Sequence, residues 1–497
     1  MGKVYLVGAG PGDPELLTLK GKRLLARADS VLYDNLANHS LLDLAPAGAE
    51  KVYVGKKKAD HAATQDEICQ MMIERARRGR EVVRLKGGDP FIFGRGGEEA
   101  EALRDAGIEF EVVPGVTTPL GIAAYAGIPL THREHTSAVT FMTGHDPEAV
   151  DWAKVGSAET LVIFMGLTTF PRIASLLIAN GRPADTPAAA VRWATRADQE
   201  VVTGTLATLP GLIAGGGIKP PATIIVGEVV SLRPKLSWFE RLPLFGQRIV
   251  VTRPARQSEG LTSQLRDLGA DVVELPAIEI IAPEDSQPIE RAICELEDYS
   301  WLIFTSANGV EGFCNALDAT QRDWRDLRAQ IAVIGPATRA AVEALHLKVD
   351  VMAEEFVAES LAEALSESDV KGKRVLLPRA GVARDTLPDD LRGKGATVDV
   401  VEAYRSVAPA DLEANAAKVF GGAGGRRPDW ITFTSSSTVT NLVKTGVNLD
   451  VVRIATIGPV TSATARKMGL EVTVEAAEYT SAGLVAAIQS LVATTPK

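Results

Sequence analysis

The second half of this chain contains itself twice. Residues 246–280 (GQRIVVTRP…LRDLGADVVELPAIEI) resemble residues 372–406 (GKRVLLPRA…LRGKGATVDVVEAYRS). The run WLIFTSANGVEGF at 301–313 is matched by WITFTSSSTVTNL at 430–442, and IAVIGPATRAAVEALHLKVDV at 331–351 by IATIGPVTSATARKMGLEVTV at 454–474. The three offsets are 126, 129 and 123 residues, so the register holds with small insertions. Two copies of so long a unit are too few for a solenoid. They predict two similar α/β lobes facing each other, with a cleft between them where ligands are favoured to bind.

The same alternation of apolar strand-like runs and helical stretches covers the first half. VYLVG, SVLYD, KVYVG, EVVRL, EFEVV, AVTFMTG, TLVIFMG and TIIVGEVV are each punctuated by Gly or Pro. This is an α/β pattern. At about 150 residues per domain, 497 residues suggest three or so domains. A boundary falls at 233–247, where RPKLSWFERLPLFGQR mixes Pro and Gly with apolar side chains, a packed joint and not a loose tether. The net charge of −10 argues against nonspecific nucleic-acid binding. The three cysteines show no CxxC pairing, so neither a disulfide framework nor a zinc site is indicated and a reducing cytoplasm is expected. The sequence opens directly on a strand pattern, so no signal peptide is expected, and no apolar run is long enough for a membrane span.

Two loops of the first half carry chemistry. Residues 84–99 read RLKGGDPFIFGRGGEE, a strand that stops at paired glycines and so exposes backbone N–H groups at its carboxyl end, where open α/β sheets bind ligands. Residues 5–18 read YLVGAGPGDPELLT. Gly8, Gly10 and the later Asp34 imitate a dinucleotide fingerprint, but Asp13 stands where the third glycine belongs. Pro11 also lacks the N–H that a pyrophosphate would need. A ligand presenting an adenine, a ribose and a cation suits these loops better. His132 and His135 in THREH have the spacing of a metal pair but no third ligand in the pattern, so they are expected to be structural and no metal is expected.

The ordered motifs VGAGPGDPELLTLKG, LYDNL, VGKK, RLKGGDPFIFGRGGEE, VVPGVTTPLGIAAYAGIPLTHR, TFMTGH, VIFMG and PPATIIVGEVV, spread over residues 4–230, resemble uroporphyrinogen-III C-methyltransferase, an S-adenosylmethionine-dependent tetrapyrrole methylase. The resemblance implies a two-lobed α/β domain over residues 1–240 and a homodimer formed through it. It also implies methylation of uroporphyrinogen III at C2 and C7, giving precorrin-2 on the way to sirohaem or cobalamin. Carried over by motif, cofactor contacts fall on Pro11, Gly87, Gly88, Asp89, Ile92, Thr117, Thr118, Met165, Ala194 and Ala222. Asp34 and Lys56 match the positions of proton acceptor and donor. The family usually follows PGVT with two alanines; here Thr118 and Pro119 stand there, and Pro119 offers no backbone N–H.

Residues 247–497 resemble uroporphyrinogen-III synthase through VTRP, IFTSANGV, IGPATRAAVEALH, LLPRA, VEAYRS, ITFTSSSTVTNL and IGPVTSATARKMGL. This family closes hydroxymethylbilane to uroporphyrinogen III with inversion of ring D and uses no cofactor, so its product is the substrate of the neighbouring domain. The resemblance implies a lobe of about 247–281 plus 406–497 and another of about 283–403; the repeat alone equally allows a cut at 371. A substrate with eight carboxylates calls for many donors. Ser306 and Asn308, Ser435 and Ser436, Thr338 and Thr461 follow apolar strands where helix N-termini favour anions, and Arg253 and Arg379 hold equivalent places in the two repeats. Ordinary helix capping explains such Ser and Thr equally well at any single site. Tyr404 matches the family tyrosine thought to assist loss of the terminal hydroxyl. The expected whole is a fused, bifunctional enzyme of tetrapyrrole synthesis; the alternative is a methylase joined to a non-catalytic two-lobed ligand-binding or regulatory module.

Overall fold

The computed structural model describes residues 2–55, 63–355, 358–381, 385–421 and 426–494, with the side chains of 255 and 256 excepted. The chain forms two compact units. One comprises residues 1–248 with 264–272 and the residues from Gln489 on; the other comprises 249–263 and 273–488.

The first unit holds two sheets. Strands β1 (Lys3–Gly8), β2 (Ser30–Tyr33), β3 (Glu50–Tyr53), β4 (Val82–Lys86) and β5 (Glu109–Val113) are all parallel, in the order β3-β2-β4-β1-β5. Side chains alternate across a strand. Accordingly Val4 and Leu6 enter one apolar cluster with Met72, Ile73 and Leu103, while Tyr5 and Val7 enter another with Leu24, Leu25 and Leu41. Both faces are covered, as an all-parallel sheet requires. β1 connects onward to β2 and β3 on one side of the sheet, while β4 connects onward to β5 at the other edge, so the carboxyl ends of the adjacent strands β1 and β4 flank a topological switch point, with β5 beside them.

Strands β6 (Val139–Thr143), β7 (Thr160–Phe164), β8 (Pro187–Arg192), β9 (Glu200–Thr205) and β10 (Ala222–Val226) form the second sheet, in the order β6-β7-β10-β8-β9. Only β6 and β7 are parallel. The strand pattern TIIVGEVV stops at Val226. Gly227 takes φ 148°, and Glu228–Leu232 forms a 3₁₀ turn instead of more strand. A side chain at Gly227 would come within 2.6 Å of the Glu159 carbonyl. The segment after it makes two short helical pieces, Arg233–Leu236 and Phe239–Arg241.

Two further sheets are formed mainly by the second unit. One joins β11 (Arg248–Val251) and β12 (Asp271–Glu274) to β19 (Trp430–Phe433), β20 (Arg453–Thr456) and β21 (Val474–Glu475), in the order β12-β11-β19-β20-β21. The other runs β13 (Glu279–Ile281), β18 (Thr397–Val407), β17 (Arg374–Ala380), β14 (Trp301–Phe304), β15 (Gln330–Val333), β16 (Val351–Met352). Each lobe therefore takes its strands from both sequence repeats. The central pairings, β11 with β19 and β14 with β17, each join one repeat to the other. β13 belongs by hydrogen bonding to the lobe of β14–β18, not to that of its sequence neighbour β12: Glu279, Ile280 and Ile281 pair antiparallel with Val407, Ser406 and Arg405. Among the described residues no helix is long and apolar enough to cross a membrane.

Candidate active sites

Four glycines bring the loops at the switch point together. Gly10 and Gly88 exchange backbone hydrogen bonds of 3.2 and 2.7 Å, and both have left-handed φ, 79° and 67°. A Cβ on Gly8 would lie 2.5 Å from the Gly115 nitrogen, and one on Gly115 only 2.3 Å from the Gly88 carbonyl oxygen. Only residues without a side chain permit this approach. Asp89 locks it: one carboxylate oxygen accepts the Phe91 N–H at 2.8 Å and the other the Gly115 N–H at 3.0 Å. Asp89 is thus a tie between loops as well as a candidate contact. Gly88 also adjoins Thr117 and Thr118, which open the helix Thr118–Tyr125 with Pro119 in its first turn, where a missing N–H has no consequence.

Pro11 is held from the other side. A Cβ at Gly121 would meet the Pro11 ring at 2.6 Å and Thr195 at 3.0 Å, and one at Gly12 would meet the Ala194 carbonyl at 3.1 Å. Pro11, Gly88, Thr117, Thr118 and Ala194 are therefore brought together where these loops meet, and the space between them is the candidate donor hollow. Ala222 starts β10 opposite Arg192, but its side chain packs with the cluster of Met142, Phe170 and Leu177, whereas Ala194 packs with Ile122 and Ile225.

Beside the hollow lies an apolar ledge. Phe91, Ile92, Phe93 and Met165 are 56, 36, 42 and 57% exposed. Phe93 stacks on Phe164 with centroids 4.8 Å apart, and a side chain at Gly87 would touch Leu36, itself exposed. Exposed apolar residues this dense mark a binding surface. Of the six non-glycine residues with left-handed φ among the described residues, five ring this region: Phe93, Arg95, Met165, Trp193 and Thr195. Strained backbone of this kind persists only where its surroundings fix it.

Asp34 follows β2 at the ledge. Its carboxylate accepts the Leu36 N–H at 3.0 Å and the Arg84 guanidinium at 3.0 Å. Arg84 in turn binds Glu99 at 3.2 Å, and Lys86 reaches the same Glu99 oxygen at 2.9 Å. Glu99 is fully buried, and among the described residues its second oxygen has no hydrogen-bond partner. Burial, then the neighbouring Arg84, pushes the Lys86 ammonium below its ordinary range. This charged group escapes sequence reading because Arg and Lys alternating with Leu in a strand resemble one solvated face; β4 is buried along its whole length. Lys56 lies outside the described residues. The donor atoms of His132, Glu134 and His135 lie within 4.8 Å of one another, so the turn brings up a third group that the spacing alone lacked; His132 Nδ1 accepts the Glu134 N–H at 3.2 Å.

In the second unit, Tyr404 sits beside a register shift between β17 and β18 at Arg379/Ala380. Such bulges re-aim side chains. Its hydroxyl lies 3.0 Å from the Ser306 hydroxyl, which also caps the helix Ala307–Asp318 by accepting the Gly309 N–H at 3.1 Å. Asn308, one turn in, accepts a hydrogen bond from Gln257, so it joins the two lobes. Ser435 caps its helix through the Thr438 N–H at 3.3 Å, and Ser436 accepts from the Thr464 hydroxyl at 2.8 Å. Thr338 and Thr461 are each only 5% exposed, inside the first turns of their helices. Arg253 donates to the Ser481 hydroxyl at 3.1 Å, and burial lowers its affinity for the proton. Arg379 pairs with Asp385. Sequence reading missed Gln257 and Ser481, since neither stands in a motif.

A parallel-sheet lobe with a glycine-bound switch point, joined to a largely antiparallel one, and a following pair of interleaved α/β lobes define a methylase domain fused to a synthase domain. Residues 3–210 match the family of tetrapyrrole (corrin/porphyrin) methylases, and residues 259–486 match uroporphyrinogen-III synthase HemD. The porphyrin biosynthesis protein HemD of Ruminiclostridium josui is 37% identical over 477 residues, 94% of each chain, and the present chain belongs to that family of fused methylase and synthase. The siroheme synthase of Chromobacterium violaceum is 56% identical over 244 residues; the match spans 48% of this chain and about half, 52%, of that protein. The uroporphyrin-III C-methyltransferase of Thermus thermophilus, crystallised with S-adenosyl homocysteine, is 44% identical over 46% of this chain and 99% of its own, with a TM-score of 0.41. Both halves are thus domains of tetrapyrrole biosynthesis.

Proposed function

We propose that the first unit transfers methyl groups from S-adenosylmethionine to C2 and C7 of uroporphyrinogen III, yielding precorrin-2, and that the second unit makes that uroporphyrinogen III from hydroxymethylbilane. The observation that carries the first part is the close approach of the glycine loops beside the exposed apolar ledge of Phe91, Ile92, Phe93 and Met165. A donor held by the loops and a broad, puckered macrocycle on the ledge would meet edge to edge. When bound, the sulfonium supplies an electrophilic methyl group, so the protein's task is alignment. Gly8, Gly88 and Gly115 let the loops that would hold the donor close on one another. Pro11, Gly87, Asp89, Ile92, Thr117, Thr118, Met165, Ala194 and Ala222 are the proposed further contacts. Methylating a pyrrole carbon leaves a proton to be removed. Asp34 is the proposed acceptor, held by Arg84 at the ledge, and Lys56 the proposed donor.

For the second unit, Tyr404 is the proposed proton donor to the departing hydroxyl of the linear substrate, oriented by its 3.0 Å contact with Ser306. Arg253, Arg379 and the Ser and Thr residues at the helix starts are the proposed carboxylate partners. Substrate must displace Ser481 and Asp385 from the two arginines, or share them. The protein is further proposed to work in the cytoplasm as a homodimer joined through its methylase half.

The deciding experiment is anaerobic incubation of the purified protein with hydroxymethylbilane, with and without S-adenosylmethionine, followed by absorbance and mass. Uroporphyrinogen III without the donor and a doubly methylated product with it are expected. Isomer I alone without the donor, with added uroporphyrinogen III still methylated, would make the second half a binding module.

A further inference from the structure

The segment between the two sequence halves does more than connect them. Glu240, in the short helical piece Phe239–Arg241, accepts a hydrogen bond from the Gln199 amide at 2.7 Å and pairs with Arg233. The Gln199 carbonyl oxygen accepts the Thr195 N–H at 3.1 Å. The Thr195 hydroxyl accepts the Asp13 N–H at 2.8 Å. A second arm starts from the same segment. Trp238 and Phe239 flank the Tyr125 ring with centroids 5.4 and 4.8 Å away, and the Tyr125 hydroxyl donates to the Asp13 carboxylate at 2.8 Å. Burial, with the Asp13 carboxylate, keeps that phenol protonated. The segment also seats directly on Gly127, where a Cβ would lie 2.5 Å from the Ser237 nitrogen.

Both arms therefore end on Asp13, in the loop that carries Pro11, and one passes through Thr195, next to Ala194. Thr195 has φ 71°, a conformation that a β-branched residue adopts only when its partners impose it. Gln199 and Asp13 are those partners, and Gln199 is oriented by Glu240.

From this we infer that Gln199 and Glu240 are positioning residues for the methyl donor: the segment 233–245 clamps the 193–196 loop against the Pro11 loop and so sets the width of the hollow. This rests on the donor reading given above. A neutral amide at 240 would hold Gln199 weakly, because only one of its two ends can accept a hydrogen bond and Arg233 loses its ion pair.

The test is calorimetric titration of the full-length protein with S-adenosylhomocysteine, together with KM and kcat for the donor, on Gln199→Ala, Glu240→Gln and the exchanged pair Gln199→Glu with Glu240→Gln. Each single variant is expected to weaken binding about five- to tenfold, with KM rising more than kcat falls. The exchanged pair restores a donor at 240 and acceptors at 199 for Thr195, and is expected to recover most of the loss. Unaltered binding in both single variants would overturn the inference, as would an exchanged pair no better than either single variant. Thermal unfolding of each variant identifies a merely structural defect, and Glu240→Gln, the mildest change, then decides alone. Wild-type protein that does not bind S-adenosylhomocysteine would remove the donor reading itself, and the inference with it.

Discussion

Single side chains differ in what holds them. Asp89 has both oxygens engaged by backbone donors. Asp34 has one oxygen engaged by a backbone N–H and the other by Arg84, a side chain that can move with it. Asp34→Ala is expected to cut methyl-transfer turnover at least about a hundredfold, the usual scale of a lost acid–base group, with little change in S-adenosylhomocysteine affinity. Turnover that survives would take Asp34 out of the chemistry. Tyr404→Phe keeps the ring packing but removes the contact with Ser306. More of the non-inverted isomer I among the products is expected, read by chromatography of the oxidised porphyrins. Glu50 gives a prediction about pH. The Arg75 guanidinium, gripping it at 2.6 and 3.1 Å, with Arg80 also nearby, holds its carboxyl below the usual 4.5. A lowered folded pKa contributes stability above the unfolded value and loses it as pH falls through the folded one. Arg75→Met should therefore lower the melting temperature at neutral pH, and its gap to wild type should narrow below pH 4.5.

At the level of strands, loops and helices, much was legible from sequence, and the failures have causes. The eight strand-like runs of the first half became strands because their β-branched and aromatic residues alternate or run unbroken. Strand β8, PAAAVR, carries three alanines and no aromatic side chain, so nothing local marks it; its place comes from pairing with β9 and β10 on both sides. TIIVGEVV was read too long because periodicity does not register that Gly227 must turn away from Glu159. The two ligand loops were recognisable by their glycines. Their mutual contact was not, since Gly8, Gly88 and Gly115 are far apart in sequence. That contact supports a prediction. Gly115→Ala would thrust a methyl group against the Gly88 carbonyl at 2.3 Å and the Gly8 Cα at 2.8 Å, all backbone with nowhere to yield. A loss of about 1–3 kcal/mol in chemical denaturation is expected, together with weakened S-adenosylhomocysteine binding. Full affinity in a stable Gly115→Ala protein would mean that the closeness of these loops does not shape the hollow. The candidate site was legible where motifs carry it and illegible where the fold assembles it. Thr195, Gln199 and the Arg84–Glu99–Lys86 group stand in no pattern that a single sequence displays.

For the molecule as a whole, the duplication was plain in the sequence and its wiring was not. Similarity between repeats says which strands correspond, not which ones pair. The obvious cut at 371 would separate β11 from β19 and β14 from β17, severing the middle of both sheets at once. Residues 247–371 and 372–497 made separately should therefore be unfolded by circular dichroism, while the two expressed together should reassociate into a soluble complex. Independent folding of either piece would show that a repeat can complete a sheet by itself. The two passages of chain between the lobes lie side by side, β13 hydrogen-bonded antiparallel to the end of β18. A pair of separate strings would let the lobes swing and twist in any direction. A bonded ribbon bends readily across its flat face and resists shear and rotation in its plane. Such a ribbon is expected to favour tilting of one lobe toward the other over twisting between them, like the leaf of a hinge.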